Sequence, residues 1–248
     1  MKDKVIVITG ASAGIGAALA EAVAKRGAVP VLVARRAEAL DAAVRRAGGK
    51  ASAIVADVTR RSDVGRVVQE TLDRFGRIDV WVNNAGQGIS RPPGELTDDD
   101  IDAMVRINVT SVLYGMQEVL PHFKSRGEGH IINISSMLGR IPFAVIRSAY
   151  IGAKHFVNAL TATFRLEVQQ THPGIQVSLV SPGVVRTDFG LNAVHGGADS
   201  RQFPNSQSAE EVAEVIADVI ESRRADVYTR AGARQMVLDY YASTGEDP

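Results

Sequence analysis

The sequence predicts an α/β protein: a doubly wound sheet of seven parallel strands flanked by helices, built as a single domain over residues 1–248. Three observations lead there. Short β-branched runs alternate with longer stretches whose apolar residues recur at helical spacing, which is the pattern of βαβ units feeding a parallel sheet. Several of the short runs are apolar on successive residues, as strands covered on both faces must be. No fixed-period repeat, low-complexity tract or linker divides the 248 residues, a length that one α/β core accommodates.

In chain order, a strand at 5–9 leads to a helix at 16–26, and a strand at 29–34 to a helix at 37–47. Strands at 51–55 and 80–83 precede helices at 60–75 and 98–123. A strand at 129–135 precedes a helix at 149–171, one at 175–181 precedes a helix at 209–221, and a last strand lies at 226–229. Each helical stretch is long enough to serve as a crossover. Two helix starts are marked locally, by Thr97 before the acidic run Asp98-Asp99-Asp100 and by Ser208 three residues before Glu211, a capping-box spacing. Residues 190–207 lack periodicity and contain Gly196-Gly197 and Pro204. A connection of that length is expected to be a mobile substrate-binding loop.

Composition excludes several functions. With 28 Lys+Arg against 28 Asp+Glu there is no long-range basic field to gather nucleic acid or an anionic membrane. The chain has no cysteine, hence no disulfide, thiolate metal site or cysteine nucleophile. The five histidines show no H-E-x-x-H or paired-ligand spacing, so no metal is expected. Val5–Ile8 after Met1-Lys2-Asp3-Lys4 is too short for a signal or membrane-spanning segment, and a cytoplasmic location is expected.

The first strand runs into Thr9-Gly10-Ala11-Ser12-Ala13-Gly14-Ile15-Gly16 and then a helix. A strand, glycine turn and helix in this order form an anion site, because the helix N-terminus offers free N–H groups and partial positive charge while glycines let backbone approach a pyrophosphate. The spacing is G-x-x-x-G-x-G, not the G-x-G-x-x-G fingerprint. No Gly-Lys-Ser/Thr follows at phosphate-loop spacing.

At these residues the sequence resembles the short-chain dehydrogenase/reductase family, in its short, NADP-preferring, single-domain branch. The likeness is carried by Thr9-Gly10-x-x-x-Gly14-x-Gly16, Asp57 after the third strand, Asn83-Asn84-Ala85-Gly86 after the fourth, Asn108, Ser136, Tyr150, Lys154, and Pro182-Gly183 with Thr187. It spans nearly the whole chain. The resemblance implies a Rossmann-type fold, a nicotinamide dinucleotide, and hydride exchange between a carbonyl and an alcohol. It further implies cofactor contacts at Gly10, Ser12, Ala13, Gly14, Ile15 and Gly16, and at Asp57 and Val58 near the adenine. Asn84 is expected to brace the sheet, with Ala85 and Gly86 on the adenosine side and Pro182, Gly183, Val185 and Thr187 facing the carboxamide.

Where a Rossmann unit selects NAD with an acidic side chain, this chain ends its second strand with Ala34-Arg35-Arg36. Guanidinium groups suit a 2′-phosphate. NADP(H) is therefore the preferred expectation, with NAD(H) as the alternative.

Tyr150 and Lys154 are i, i+4 on one helix, so phenol and ammonium share a face. Hydride delivery to a ketone leaves alkoxide charge that must be stabilised and protonated. Tyr150 is the expected proton donor, with Lys154 lowering its pKa and holding the cofactor ribose, and Ser136 fixing the substrate oxygen. The resemblance gives Asn108 a part in a proton relay behind Lys154. Ser135 is the rival serine, and no G-x-S-x-G elbow supports a hydrolase. Phe143, Val145, Ile146 and the segment 189–203 are expected to line a pocket for a small or medium apolar ketone or secondary alcohol. A non-catalytic dinucleotide sensor or scaffold is the other class considered. Pairing through helices 98–123 and 149–171, as in the family, implies a homotetramer or homodimer.

Overall fold

The computed structural model describes residues 1–245. In its first strand, β1 (Val5–Thr9), all five residues are buried because successive side chains enter opposite layers. Ile6 and Ile8 join one apolar layer, and Val5 and Val7 the other. The same double coverage makes β2 (Val29–Ala34), β4 (Val80–Asn83) and β5 (Gly129–Ile134) buried throughout. β6 (Ile175–Ser181) is nearly so. The short edge strands β3 (Ser52–Val55) and β7 (Asp226–Tyr228) are partly exposed.

The seven strands are all parallel in the order β3-β2-β1-β4-β5-β6-β7. On one face α1 (Gly14–Lys25), α2 (Ala37–Ala47) and α7 (Ala209–Ser222) supply Leu19, Val23, Leu40, Val212 and Ile216. On the other, α3 (Arg61–Phe75), α5 (Ser111–Arg126) and α6 (Ser148–Thr171) supply Val67, Met116, Phe123, Val157 and Phe164. Winding reverses between β1 and β4, so the loops leaving these two neighbours diverge and open a crevice at their C-terminal ends.

The single helix expected over 98–123 is corrected. It is α4 (Asp98–Val105), a wide π turn (Arg106–Thr110) and then α5, which carries Pro121 internally. A π turn holds one residue more than an α turn between bonded groups and interrupts the regular ladder; the Asn108 amide, within the turn, donates to Gln87 O at 2.9 Å. The sequence reading also has no counterpart for α8 (Ala233–Ala242), which packs Ala233 and Val237 on Met137 and Ile141. Strand β5 ends at Ile134, one residue short of expectation, and leaves Ser135 in the connection. Both anticipated caps form as full capping boxes, Thr97 with Asp100 and Ser208 with Glu211.

Candidate active site

Thr9, last in β1, ties the two crevice walls together. Its hydroxyl donates to Val82 O at 3.2 Å and accepts the N–H groups of Asn84 (2.9 Å) and Ala85 (3.1 Å). The Asn84 amide donates back to Thr9 O at 2.9 Å. Gly10 then turns with φ +66, and a Cβ there would lie 2.8 Å from Ala85 Cα, so only glycine fits between the walls. Gly14 also has positive φ (+55) and opens α1, and its missing Cβ would sit 3.2 Å from Thr187 Cγ2. Ser12, Ala13 and Ile15 complete the turn, and no side chain caps the first turn of α1. Its first N–H groups, beside the glycine turn and close to Thr187, are donors of the kind that suit a phosphate-bearing group.

Arg35 and Arg36 stand exposed at the end of β2 without a hydrogen-bonded or ionic partner among the described residues. Arg35 borders an open cleft of about 370 Å³ with Thr59, Gln87, Arg106 and Ile107. Asp57, past β3, accepts the Thr59 N–H (3.0 Å) and hydroxyl (2.8 Å). Burial works to raise its pKa, but the Thr59 donors and the Arg35 and Arg60 charges hold the carboxyl below its ordinary value. Val58 beside it is buried.

Across the crevice, Ser136 follows β5, and Tyr150 and Lys154 lie on consecutive turns of α6. All three are buried. Lys154 Nζ donates to Ile134 O at 2.9 Å and lies 5.6 Å from the centre of the Tyr150 ring. The Ser136 hydroxyl accepts the Leu138 N–H at 3.1 Å. Ser135 instead donates its hydroxyl to Asn158 Oδ1, which commits it to the α6 side. Asn108 accepts the Gln87 N–H at 3.2 Å and donates to Gln87 O and Met104 O. A Cβ on Gly86 would lie 3.0 Å from Asn108 Oδ1 and 3.7 Å from Lys154 Nζ, so Gly86 borders the Lys154 side.

The expected lowering of the Tyr150 pKa by Lys154 is also corrected. Burial pushes the phenol up to about 12, with the Ser136 hydroxyl and the Arg147 guanidinium pulling the other way. Burial likewise brings Lys154 down to about 8. Desolvation outweighs charge in this pair.

The segment after β6 closes the site. Met137 donates its N–H to Pro182 O at 2.7 Å, Gly183 adjoins Arg230, and Val185 is bridged to Gln207. Phe189 meets Tyr150 edge-on, ring centres 5.5 Å apart. Loop 190–207 is tied to the segment after β4 by a bridge between Ile89 and Val194, and to α4 by His195, whose Nε2 lies 2.7 Å from Asp100 Oδ1.

A family model for short chain dehydrogenases matches residues 4–196. The chain belongs to the short-chain dehydrogenase/reductase family. The chain is 35% identical to an uncharacterized oxidoreductase of Staphylococcus epidermidis over 196 residues, 77% of this chain and 84% of the relative. It is 33% identical to the uncharacterized oxidoreductase YxnA of Bacillus subtilis over 246 residues, 96% of this chain and 68% of that one. Among solved structures, a family member from Burkholderia phymatum in complex with NAD superposes with a TM-score of 0.88 at 25% identity, covering 100% of this chain and 98% of that one. A short-chain dehydrogenase from Sphingobium yanoikuyae in complex with NADPH gives 0.83 at 31% identity, covering 99% and 97%.

The dehydrogenase fold thus gathers the glycine turn, Asn84–Gly86, Ser136, Tyr150 and Lys154 at one end of the sheet, with Arg35 and Arg36 at the outer end of the crevice. Phe143, Val145 and Ile146, between Ser136 and Tyr150 in the chain, stand exposed. Sequence reasoning missed Thr9 as the tie between β1 and β4, and Arg147 beside Tyr150. Thr9 was visible only as the first letter of the glycine motif; Arg147 carried no local signal.

Proposed function

We propose that this dehydrogenase reduces ketones or aldehydes to alcohols, reversibly, with NADP(H) as preferred cofactor. The observation that carries the reading is the meeting of the Ser136 hydroxyl, Tyr150 phenol and Lys154 ammonium in one buried place beside a glycine-lined anion cradle. The bound nicotinamide would exchange the hydride with the carbonyl carbon. The glycine turn Gly10–Gly16, Asp57, Val58, Asn84, Ala85, Gly86 and Pro182–Thr187 would hold the cofactor along the crevice. Arg35, with Arg36, is the ligand for a 2′-phosphate, since neither has another partner among the described residues.

Tyr150, kept protonated at neutral pH by burial, gives its proton to the substrate oxygen as charge develops there. Ser136 donates a hydrogen bond to that oxygen. Lys154, largely charged at pH 7, stabilises the phenolate left behind. Asn108 fixes the Gln87 backbone behind Lys154. Phe143, Val145, Ile146 and Phe189 take the hydrocarbon part of the substrate, and loop 190–207 forms one wall. Levodione reductase superposes with a TM-score of 0.85 at 27% identity, covering 97% of this chain and 100% of that one, which accords with a reductase reading.

The test is a carbonyl and alcohol panel assayed with NADPH and NADH on wild type, Tyr150→Phe and Arg35→Asp. Wild type should turn over ketones faster with NADPH. Tyr150→Phe should fall by about 10²–10⁴-fold, the range of a lost general acid, and Arg35→Asp should move preference toward NADH. Binding of the dinucleotide without turnover of any carbonyl would favour a sensor, and faster turnover with NADH would reassign the cofactor.

A further inference from the structure

Tyr150, Lys154 and Asn158 stand at i, i+4 and i+8 on α6 and form one stripe along the helix. Phenol and ammonium serve the proposed reaction, and the Asn158 amide stands outside it. That amide is partly buried and bonded at both ends. Its Oδ1 accepts the Ser135 hydroxyl and its Nδ2 donates to Gly139 O. Ser135 directly precedes Ser136 and Gly139 lies just beyond it, so one side chain grips the Ser136 turn on both flanks.

The turn rests directly on the helix. A Cβ on Gly139 would lie 2.9 Å from Ser135 Oγ, 3.0 Å from Asn158 Nδ2 and 3.0 Å from the Lys154 carbonyl carbon, and no side chain fits there. Inside the turn the Ser136 hydroxyl accepts the Leu138 N–H at 3.1 Å and Ser136 O accepts the Gly139 N–H at 2.9 Å, which makes residues 136–139 one compact unit. Pro182 O holds the Met137 N–H at 2.7 Å from the β6 side. Three successive residues around the end of β5 are tied to α6: Asn133 Nδ2 donates to Thr161 Oγ1 at 2.9 Å, Lys154 Nζ to Ile134 O at 2.9 Å, and Ser135 to Asn158. The first two fix the helix against the strand. The third reaches past the strand to the turn that carries the Ser136 hydroxyl.

We propose that Asn158, acting with Ser135, is a positioning residue that holds the Ser136 hydroxyl in register with the Tyr150 phenol, so that both address one substrate oxygen. The inference rests on the proposed carbonyl reduction and adds a residue to it. Asn158 makes and breaks no bond in the reaction. Ser136 and Tyr150 come from different segments, and a donor misplaced by about 1 Å costs about 10²-fold in rate. Through Asn158 the serine takes its reference from the same helix as the phenol and the ammonium. A contact that served folding alone could be exchanged for apolar packing at little cost, whereas aim needs two directed bonds.

The experiment is a double-mutant cycle on the ketone that wild type reduces fastest, with Asn158→Ala and Ser135→Ala each made alone and together with Ser136→Ala. Asn158→Ala should lower kcat by about 10–100-fold, and Ser135→Ala by about 3–10-fold because the bond to Gly139 O survives. KM and the Kd for NADPH, read by the fluorescence of the nicotinamide, should stay within about threefold of wild type. With Ser136→Ala already present, either change should lower kcat by less than about threefold, since the hydroxyl that it positions is gone. A merely structural role would give the same fold loss in both backgrounds. Ser135→Ala removes one hydroxyl and carries the same cycle should Asn158→Ala not fold. Wild-type kcat in the folded single variants, or equal losses with and without the Ser136 hydroxyl, overturns the positioning role while leaving carbonyl reduction standing. Failure of wild type to reduce any carbonyl with either cofactor, or undiminished turnover in Ser136→Ala, overturns the reading beneath it.

Discussion

Lys154 shows what the site costs at the scale of one residue. Its ammonium is buried with a single carbonyl, Ile134 O, as hydrogen-bond partner, and burial lowers its pKa from 10.5 to about 8. The unfolded chain therefore holds more protons than the folded one between those values, so stability rises with pH across that window and the penalty is complete below about 8. At ~1.4 kcal/mol per pKa unit the penalty at neutral pH is about 3 kcal/mol, and loss of the Ile134 bond would return about 1 kcal/mol of it. Lys154→Met should accordingly raise stability at pH 7 by a net of about 2 kcal/mol, read as a higher Tm, lose the gain as pH approaches 10.5, and abolish turnover. A variant less stable than wild type at pH 7 in calorimetry would contradict this. Such a residue is kept for chemistry, not for the fold. It was legible in the sequence because Tyr150 and Lys154 share a helix face by spacing alone. Arg147 was not, since its bond to Ile89 O and its place beside the Tyr150 phenol join segments that only folding brings together.

Among the elements, those whose ends are fixed by local side chains were legible, and those shaped by distant partners were not. Thr97 and Ser208 announced α4 and α7 because a capping box is a contact over three residues. Replacing Ser208 with Ala removes the acceptor for the Glu211 N–H at 3.0 Å and should cost about 1 kcal/mol, or roughly 2–4 °C in Tm for a domain of this size. A denaturation midpoint equal to that of wild type would show that the box contributes nothing. The π turn at Arg106–Thr110 left no such mark, because Asn108 is drawn out of the helical ladder toward Gln87, 21 residues away. The ten-residue α8 escaped for a similar reason: it is held by Met137 and Ile141, and a helix that short has little periodicity of its own.

For the molecule as a whole, the buried strands made the sheet legible, while what covers its outer helices was not. Ile101 and Val105 on α4 and Phe156 and Leu166 on α6 stand in solvent. Apolar groups so placed fit an interface between copies of the chain. Wild type should sediment as a dimer or tetramer, and the double variant Phe156→Glu, Leu166→Glu should shift to lower mass with its far-ultraviolet spectrum intact; an unchanged mass would remove these helices from the interface. The position of β1 has a consequence for synthesis. It is the first strand made, yet one of its edges pairs with β4, Ile6 against Val80, and the Asn84 amide that anchors the Thr9 carbonyl is 75 residues downstream. At ~5–20 residues per second that interval is roughly 4–15 s, during which the nascent chain carries an apolar strand with one open edge. A ribosome stalled before residue 84 would present a ligand for chaperones and no phosphate cradle. The crevice between β1 and β4 is thus also a checkpoint in time, closed only once the fourth strand has emerged.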